Sequence, residues 1–104
     1  MGMNLMNIMK QVQNAQKRAE LAQKELAALE ISGESAGGVI KVTCDGQGKF
    51  KSIKIAPEAM SESPEMLEDL ISAAINQANE KASVEMQAKM KQITGGISIP
   101  GLNF

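Results

Sequence analysis

One uninterrupted amphipathic stretch, residues 4–30, sets the strongest constraint on how this chain folds. It contains neither Gly nor Pro, and its apolar residues recur at alternating steps of three and four, the spacing of a helix packed along a narrow seam. The seam residues are Leu5, Ile8, Val12, Ala15, Ala19, Ala22, Leu26 and Leu29. Such a helix is about 40 Å long, whereas a compact globule of this size is about 33 Å across. We therefore expect the helix to project from the fold or to be covered by a partner.

The face opposite this seam is basic. Lys10, Lys17 and Lys24 recur every seven residues and therefore line up along the helix, with Arg18 beside them. No acidic residue precedes Glu20. Surface helices are commonly rich in lysine, so a plain solvated face is one interpretation. The other is a basic strip offered to a polyanion.

Composition predicts one small domain that needs a partner. The chain has 104 residues, of which 43% are hydrophobic, but Phe50 and Phe104 are its only aromatic residues. A core made of aliphatic and methionine side chains is thin in a chain of this length, and this favours a homodimer. The net charge of −1 gives no general attraction to nucleic acid, so any such binding depends on local charge. Residues 1–19 carry three positive charges and no acid, whereas residues 58–69 carry five acids and no base.

The sequence predicts a cytoplasmic protein. No apolar run approaches the roughly 20 residues of a membrane-spanning helix, and the first residues lack the pattern of a signal peptide. The single cysteine, Cys44, has no internal partner for a disulfide, which is typical of a reducing compartment. Its position in an alternating apolar pattern favours a buried strand residue over a reactive thiol.

Three strands are predicted after the first helix. Residues 31–36 indicate a short edge strand, and residues 39–45, rich in β-branched side chains, indicate the clearest strand of the chain. The apolar face of that strand is expected to consist of Ile40, Val42 and Cys44. The sequence DGQG at 45–48 predicts a hairpin turn, from which residues 49–56 return antiparallel. Phe50 falls out of phase with the following isoleucines, so either a bulge intervenes or Phe50 covers the second face of the sheet.

A second long helix is predicted from Pro64 to about Ile93, with Ser63 as its N-cap. Its apolar face is broad at first and narrow later, so we expect the early half in the core and the late half in a projecting arm. Acidic residues cluster around its start: Glu58, Glu62, Glu65, Glu68 and Asp69. Stabilisation of the helix dipole explains those near the helix end more simply than a metal site or an acid/base pair. Gly95 and Gly96 are expected to end the helix, which gives one domain at 1–94 and a flexible tail at 95–104.

The residue types exclude most enzyme chemistry. Histidine is absent, Cys44 therefore has no imidazole partner, and the glycines at 46 and 48 belong to a hairpin rather than to a phosphate-binding loop before a helix. We predict no catalytic residue, no metal ligand, no cofactor and no small-molecule substrate. The N-terminal methionines are interpreted as flexible packing groups.

The ordered set of motifs resembles the YbaB/EbfC family of bacterial nucleoid-associated, DNA-binding proteins. The features that carry the resemblance are the long polar first helix, GESAGGVIKV at 33–42, DGQG at 45–48, SIKIAPE at 52–58, MLEDLISAAINQA at 66–78 and the glycine-rich tail. The resemblance implies an α+β fold of helix, three-stranded antiparallel sheet and helix. It also implies a homodimer whose projecting helices grip duplex DNA, and no enzymatic activity.

Two functions follow from these observations. The first is DNA binding in the cytoplasm at the nucleoid, mainly through phosphate contacts, with a role in nucleoid organisation or gene regulation. Charge placement selects the contact residues Lys10, Lys17, Arg18, Lys24, Lys89 and Lys91. The alternative is a helical protein–protein interaction module that does not bind DNA directly, which the near-zero net charge and the apolar seam favour.

Overall fold

The computed structural model describes residues 4–94 and confirms the predicted helix, three-stranded antiparallel sheet and helix. The elements in chain order are α1 (Leu5–Ala28), β1 (Ile31–Ser35), β2 (Ile40–Cys44), β3 (Phe50–Ile55) and α2 (Pro64–Thr94). Short 3-10 segments at Ala36–Gly38 and Pro57–Ser61 connect β1 to β2 and β3 to α2. The predicted tail and the glycines expected to end α2 lie outside the described residues.

Side-chain caps define where the two helices begin. The Oδ1 atom of Asn4 accepts a hydrogen bond from the backbone N–H of Met6 at 2.8 Å, a cap that the sequence analysis missed. Ser63 Oγ accepts one from the N–H of Met66 at 3.2 Å, and Pro64 occupies the first helical position. The predicted start of α2 is therefore confirmed.

The core lies between the sheet and the first half of α2. Ile40, Val42 and Cys44 are buried on one face of β2, as their alternation predicts. They form one cluster with small residues that α2 presents every four positions, namely Ala74, Ala78 and Ala82. Helix α2 packs mainly on β1 and β2 and makes little contact with β3. One edge of the sheet is therefore left without a helical cover.

A bulge settles the position of Phe50. The strand order is β1-β2-β3, and Cys44 pairs with Phe50 after a register shift beyond the Thr43–Ser52 pair. Phe50 therefore shares the face of its neighbours Ile53 and Ile55. All three side chains remain exposed, with 58%, 38% and 39% of their surface accessible, because α2 does not extend over this strand.

The molecule is elongated. It measures 72 × 21 × 17 Å, and its radius of gyration is 19.4 Å, against about 13 Å for a compact domain of this length. Ala22 and Leu26 of the α1 seam are buried, whereas Leu5 is 70% and Val12 is 52% exposed. The N-terminal half of α1 therefore projects, as its length predicts. Neither helix described in residues 4–94 combines the length and the apolar character needed to cross a membrane.

Candidate nucleic-acid interface

The basic strip of α1, defined as Lys10, Lys17, Arg18 and Lys24, lies on the outer surface of the projecting helix. All four residues are exposed. Successive lysines in the strip are separated by about 10.5 Å along the axis and lie within about 20° of one another around it. Within residues 4–94, none of the four side chains forms an ion pair. Their charges are therefore available to an external anion.

Arg18 differs from the three lysines in its surroundings. It borders a cavity of about 170 Å³ between α1 and the end of α2, where Leu21 and Gln92 also line the wall. A guanidinium at this position lies where the two helices meet rather than along the outer ridge. The strip therefore extends from the tip of α1 to the point where α2 joins it.

Lys89 and Lys91, the two predicted contact residues on α2, have different environments. Lys89 forms an ion pair with Glu25 of α1, and 20% of its side chain is exposed. Lys91 is exposed in the last turn of α2. Lys89 therefore connects the two helices, and a role in anion binding requires its ammonium to be shared with Glu25 or released from it.

An apolar groove of about 390 Å³ separates α1 from the second half of α2. Its walls consist of small and flexible side chains, mainly Ala19, Ala22 and Leu26 from α1 and Met86, Met90 and Ile93 from α2. Contacts of this kind hold the helices side by side with little polar interaction. The groove thus joins the base of the projecting helix to the arm formed by α2.

A second set of lysines lies on the β2–β3 hairpin and was not included among the sequence-predicted contacts. Lys41, Lys49, Lys51 and Lys54 are all exposed, and none of them has an ion-pair partner within residues 4–94. Lys41 stands directly opposite Lys54 in the β2–β3 register. The signal available in the sequence was their placement on the polar face of two strands predicted to pair.

Cys44 and its neighbour Asp45 have structural rather than chemical roles. Burial raises the pKa of the Cys44 thiol, the nearby Asp45 charge raises it further, and Lys51 opposes these effects. The thiol donates a weak hydrogen bond to the carbonyl of Ala78, with an S–O distance of 3.7 Å. Asp45 is buried and accepts the N–H groups of Gln47 and Lys49 at 2.8 and 2.9 Å, which closes the hairpin turn. Both residues therefore support the fold.

The acidic sector at 58–69 does not assemble a metal site in the structure. Among residues 4–94, no three His, Cys, Asp or Glu side chains lie close enough together to hold a metal ion. Glu65 lies in the first turn of α2, where a negative charge stabilises the helix dipole.

Comparisons with known proteins agree with this geometry. The sequence model of the YbaB/EbfC DNA-binding family matches residues 1–97. Nucleoid-associated proteins of Legionella pneumophila strains Corby and Paris are 43% identical to this chain over 97 residues, which cover 93% of this chain and 87% of each relative. The crystal structure of an uncharacterised protein from Helicobacter pylori superposes with a TM-score of 0.82 at 14% identity and covers 90% of this chain and all of that one. This last likeness establishes a shared fold.

Proposed function

We propose that this chain, which belongs to the YbaB/EbfC DNA-binding family, grips duplex DNA as a homodimer, mainly through phosphate contacts. The observation that carries the proposal is the exposed basic strip on the projecting half of α1, whose side chains have no ion-pair partner within residues 4–94. The proposed contact residues are Lys10, Lys17, Arg18, Lys24, Lys89 and Lys91.

The proposed mechanism is electrostatic. Ammonium and guanidinium groups neutralise phosphates and release the counterions condensed on the duplex, so the affinity falls steeply as salt rises. Lysine offers a point charge without the bidentate geometry that reads guanine, and Arg18 is the only arginine of the chain. Binding should therefore depend little on DNA sequence.

Two uncovered apolar surfaces support the homodimer. Phe50, Ile53 and Ile55 lie exposed on an edge strand whose backbone groups have no neighbour on one side, within the residues that the structure describes. Leu5 and Val12 are equally uncovered on the α1 seam. A second copy of the chain would remove both surfaces from water and complete the hydrogen bonding of the free edge. Pairing of this kind would also bring two basic strips into one assembly.

The cellular role that we propose is nucleoid organisation or gene regulation in the cytoplasm, without enzymatic activity. The names of the Legionella relatives support the first part, since both are called nucleoid-associated proteins. The absence of histidine and the buried, weakly acidic Cys44 thiol support the second part.

One observation favours a different function, a protein–protein interaction module without direct DNA binding. Leu5, Ile8 and Val12 form an exposed apolar stripe on the same helix that carries the basic strip. An amphipathic partner helix would fit such a stripe.

A titration of the full chain with a random-sequence duplex separates the two functions. Fluorescence anisotropy should show saturable binding that weakens steeply between 50 and about 200 mM salt. If no binding is detected at low salt by a protein whose circular dichroism is that of a folded chain, the DNA-binding proposal is wrong and the interaction module takes its place.

A further inference from the structure

We propose that the open face of the sheet is a second phosphate-binding surface, through which a protein that holds one duplex by α1 takes up a second duplex. The proposal rests on the proposed function, since it assumes that α1 holds the first duplex. Its central observation is the cross-strand pair of Lys41 and Lys54, on the sheet face that α2 leaves uncovered.

The register places a row of anion-binding groups on this face. Lys41 pairs with Lys54, and the pair two positions along the same face is Thr43 with Ser52. Side chains directly opposite one another on an antiparallel pair have Cβ atoms about 5 Å apart. Two ammonium groups followed by two hydroxyl groups form a row of donors suited to a sugar-phosphate backbone.

Like charges directly opposite one another in a sheet destabilise the pairing. Glu34 of β1 stands across from Lys41 on the other side, and it is the one carboxylate that the three strands carry. Asp45, the only other acid in the segment 31–55, is buried and uses its carboxylate within the turn. A phosphate lying between Lys41 and Lys54 would relieve their repulsion, and Lys49 and Lys51 add further charge on the same hairpin.

The basic strip and the sheet face lie in different parts of the elongated molecule. Helix α2 contacts the sheet through Ala74 and Ala78 and lines the groove with α1 through Met86 and Met90. The 16 residues from Ala74 to Met90 span about 24 Å of helix axis. The basic strip also continues along α1 beyond the groove, in a molecule 72 Å long and 21 Å wide. The distance between the two basic surfaces favours separate duplexes.

A bridging assay tests the proposal with the full chain. One random-sequence duplex is fixed to beads, a second fluorescent duplex is added with the protein, and the fluorescence retained on the beads is measured. The test variant is Lys41→Gln with Lys54→Gln, which keeps side-chain length and removes two charges. The control variant is Ser72→Glu with Asn76→Glu, two exposed positions of α2 that make the same change in net charge.

The glutamine variant should lose at least about fivefold in retained fluorescence, because two phosphate contacts per chain disappear. Its affinity for a single duplex in solution, measured by anisotropy, should stay within about twofold, and the control variant should bridge like the wild type. Circular dichroism should show both variants folded.

Three results overturn the second surface while leaving the proposed function intact. They are a wild type that binds a single duplex but retains no second one, equal retention by the glutamine variant, and equal loss in the control variant. Loss of single-duplex affinity in the glutamine variant would also overturn it, since one duplex would then span both surfaces. A wild type that binds no duplex contradicts the proposed function itself and is recognised by anisotropy alone.

Discussion

Gly33 of β1 lies directly against Ala78 of α2, with no room between them for a side chain. A Cβ atom added to Gly33 would lie 3.0 Å from the Cα of Ala78 and would overlap its backbone nitrogen and the carbonyl oxygen of Ala74. The contact brings β1 and the helix to backbone distance, and it fixes how α2 crosses the sheet. The positions of the arm and of the sheet face both depend on this crossing.

Replacement of Gly33 by alanine should lower the free energy of unfolding by about 3 kcal/mol, because the new methyl group meets rigid backbone atoms on α2. Urea unfolding followed by circular dichroism measures the change. Gly37→Ala is the matched control, since no atom lies within 4 Å of its added Cβ and its φ of +69° costs only about 1 to 2 kcal/mol. Equal losses in the two variants would show that the β1–α2 contact is not the cause.

Reversal of Lys10, Lys17 and Arg18 to glutamate should weaken duplex binding at least about a hundredfold, since three phosphate contacts per chain become repulsive. The fold should survive because all three side chains are exposed. Anisotropy titrations at several salt concentrations give the affinities. Lys54→Glu is the control and should affect single-duplex affinity far less. If Lys54→Glu abolishes binding and the triple variant binds normally, the primary site is the sheet.

Single changes in the basic strip should alter the salt dependence in a countable way. A dimer that uses three side chains per arm should show a slope of roughly −5 for log K against log salt. Lys10→Ala should bring that slope closer to zero by about two, one contact for each protomer. A variant that loses affinity with an unchanged slope would point to packing rather than phosphate contact.

The protein should be a homodimer of about 22 kDa, twice the chain mass of 11.1 kDa. Light scattering coupled to size exclusion at micromolar concentration measures it. Ile53→Asp should shift the mass towards the monomer, because a charge would enter the proposed β3 surface, whereas Ser52→Asp on the other face of the strand should not. A monomeric wild type would contradict the dimer.

Replacement of Cys44 by serine should cost about 1 to 2 kcal/mol of stability, because a more polar hydroxyl replaces a buried thiol. DNA affinity should stay unchanged, as Cys44 lies inside the fold. Because the pKa of the thiol is raised, its thiolate fraction at neutral pH is reduced, and a thiol reagent should label the folded chain more slowly than the unfolded chain. Rapid labelling of the folded protein would contradict its burial.

The sequence by itself determined the features that depend on local periodicity and end chemistry. The three-and-four spacing from Leu5 to Leu26 predicts α1, the alternation through Ile40 and Val42 predicts β2, and Ser63 before Pro64 predicts the start of α2. These patterns are readable because each is imposed by neighbours within one or two turns of the same element. The basic strip of α1 follows from the same periodicity.

Tertiary structure alone decided the relationships between distant residues. The bulge that turns Phe50 towards Ile53 depends on the register of β3 against β2, and this register also opposes Lys41 to Lys54. The pairing of Lys89 with Glu25, 64 residues apart, depends on where α2 meets α1. Both follow from how closely α2 approaches the sheet at Gly33, a contact that becomes defined only when packing of the whole core selects one crossing of helix and sheet.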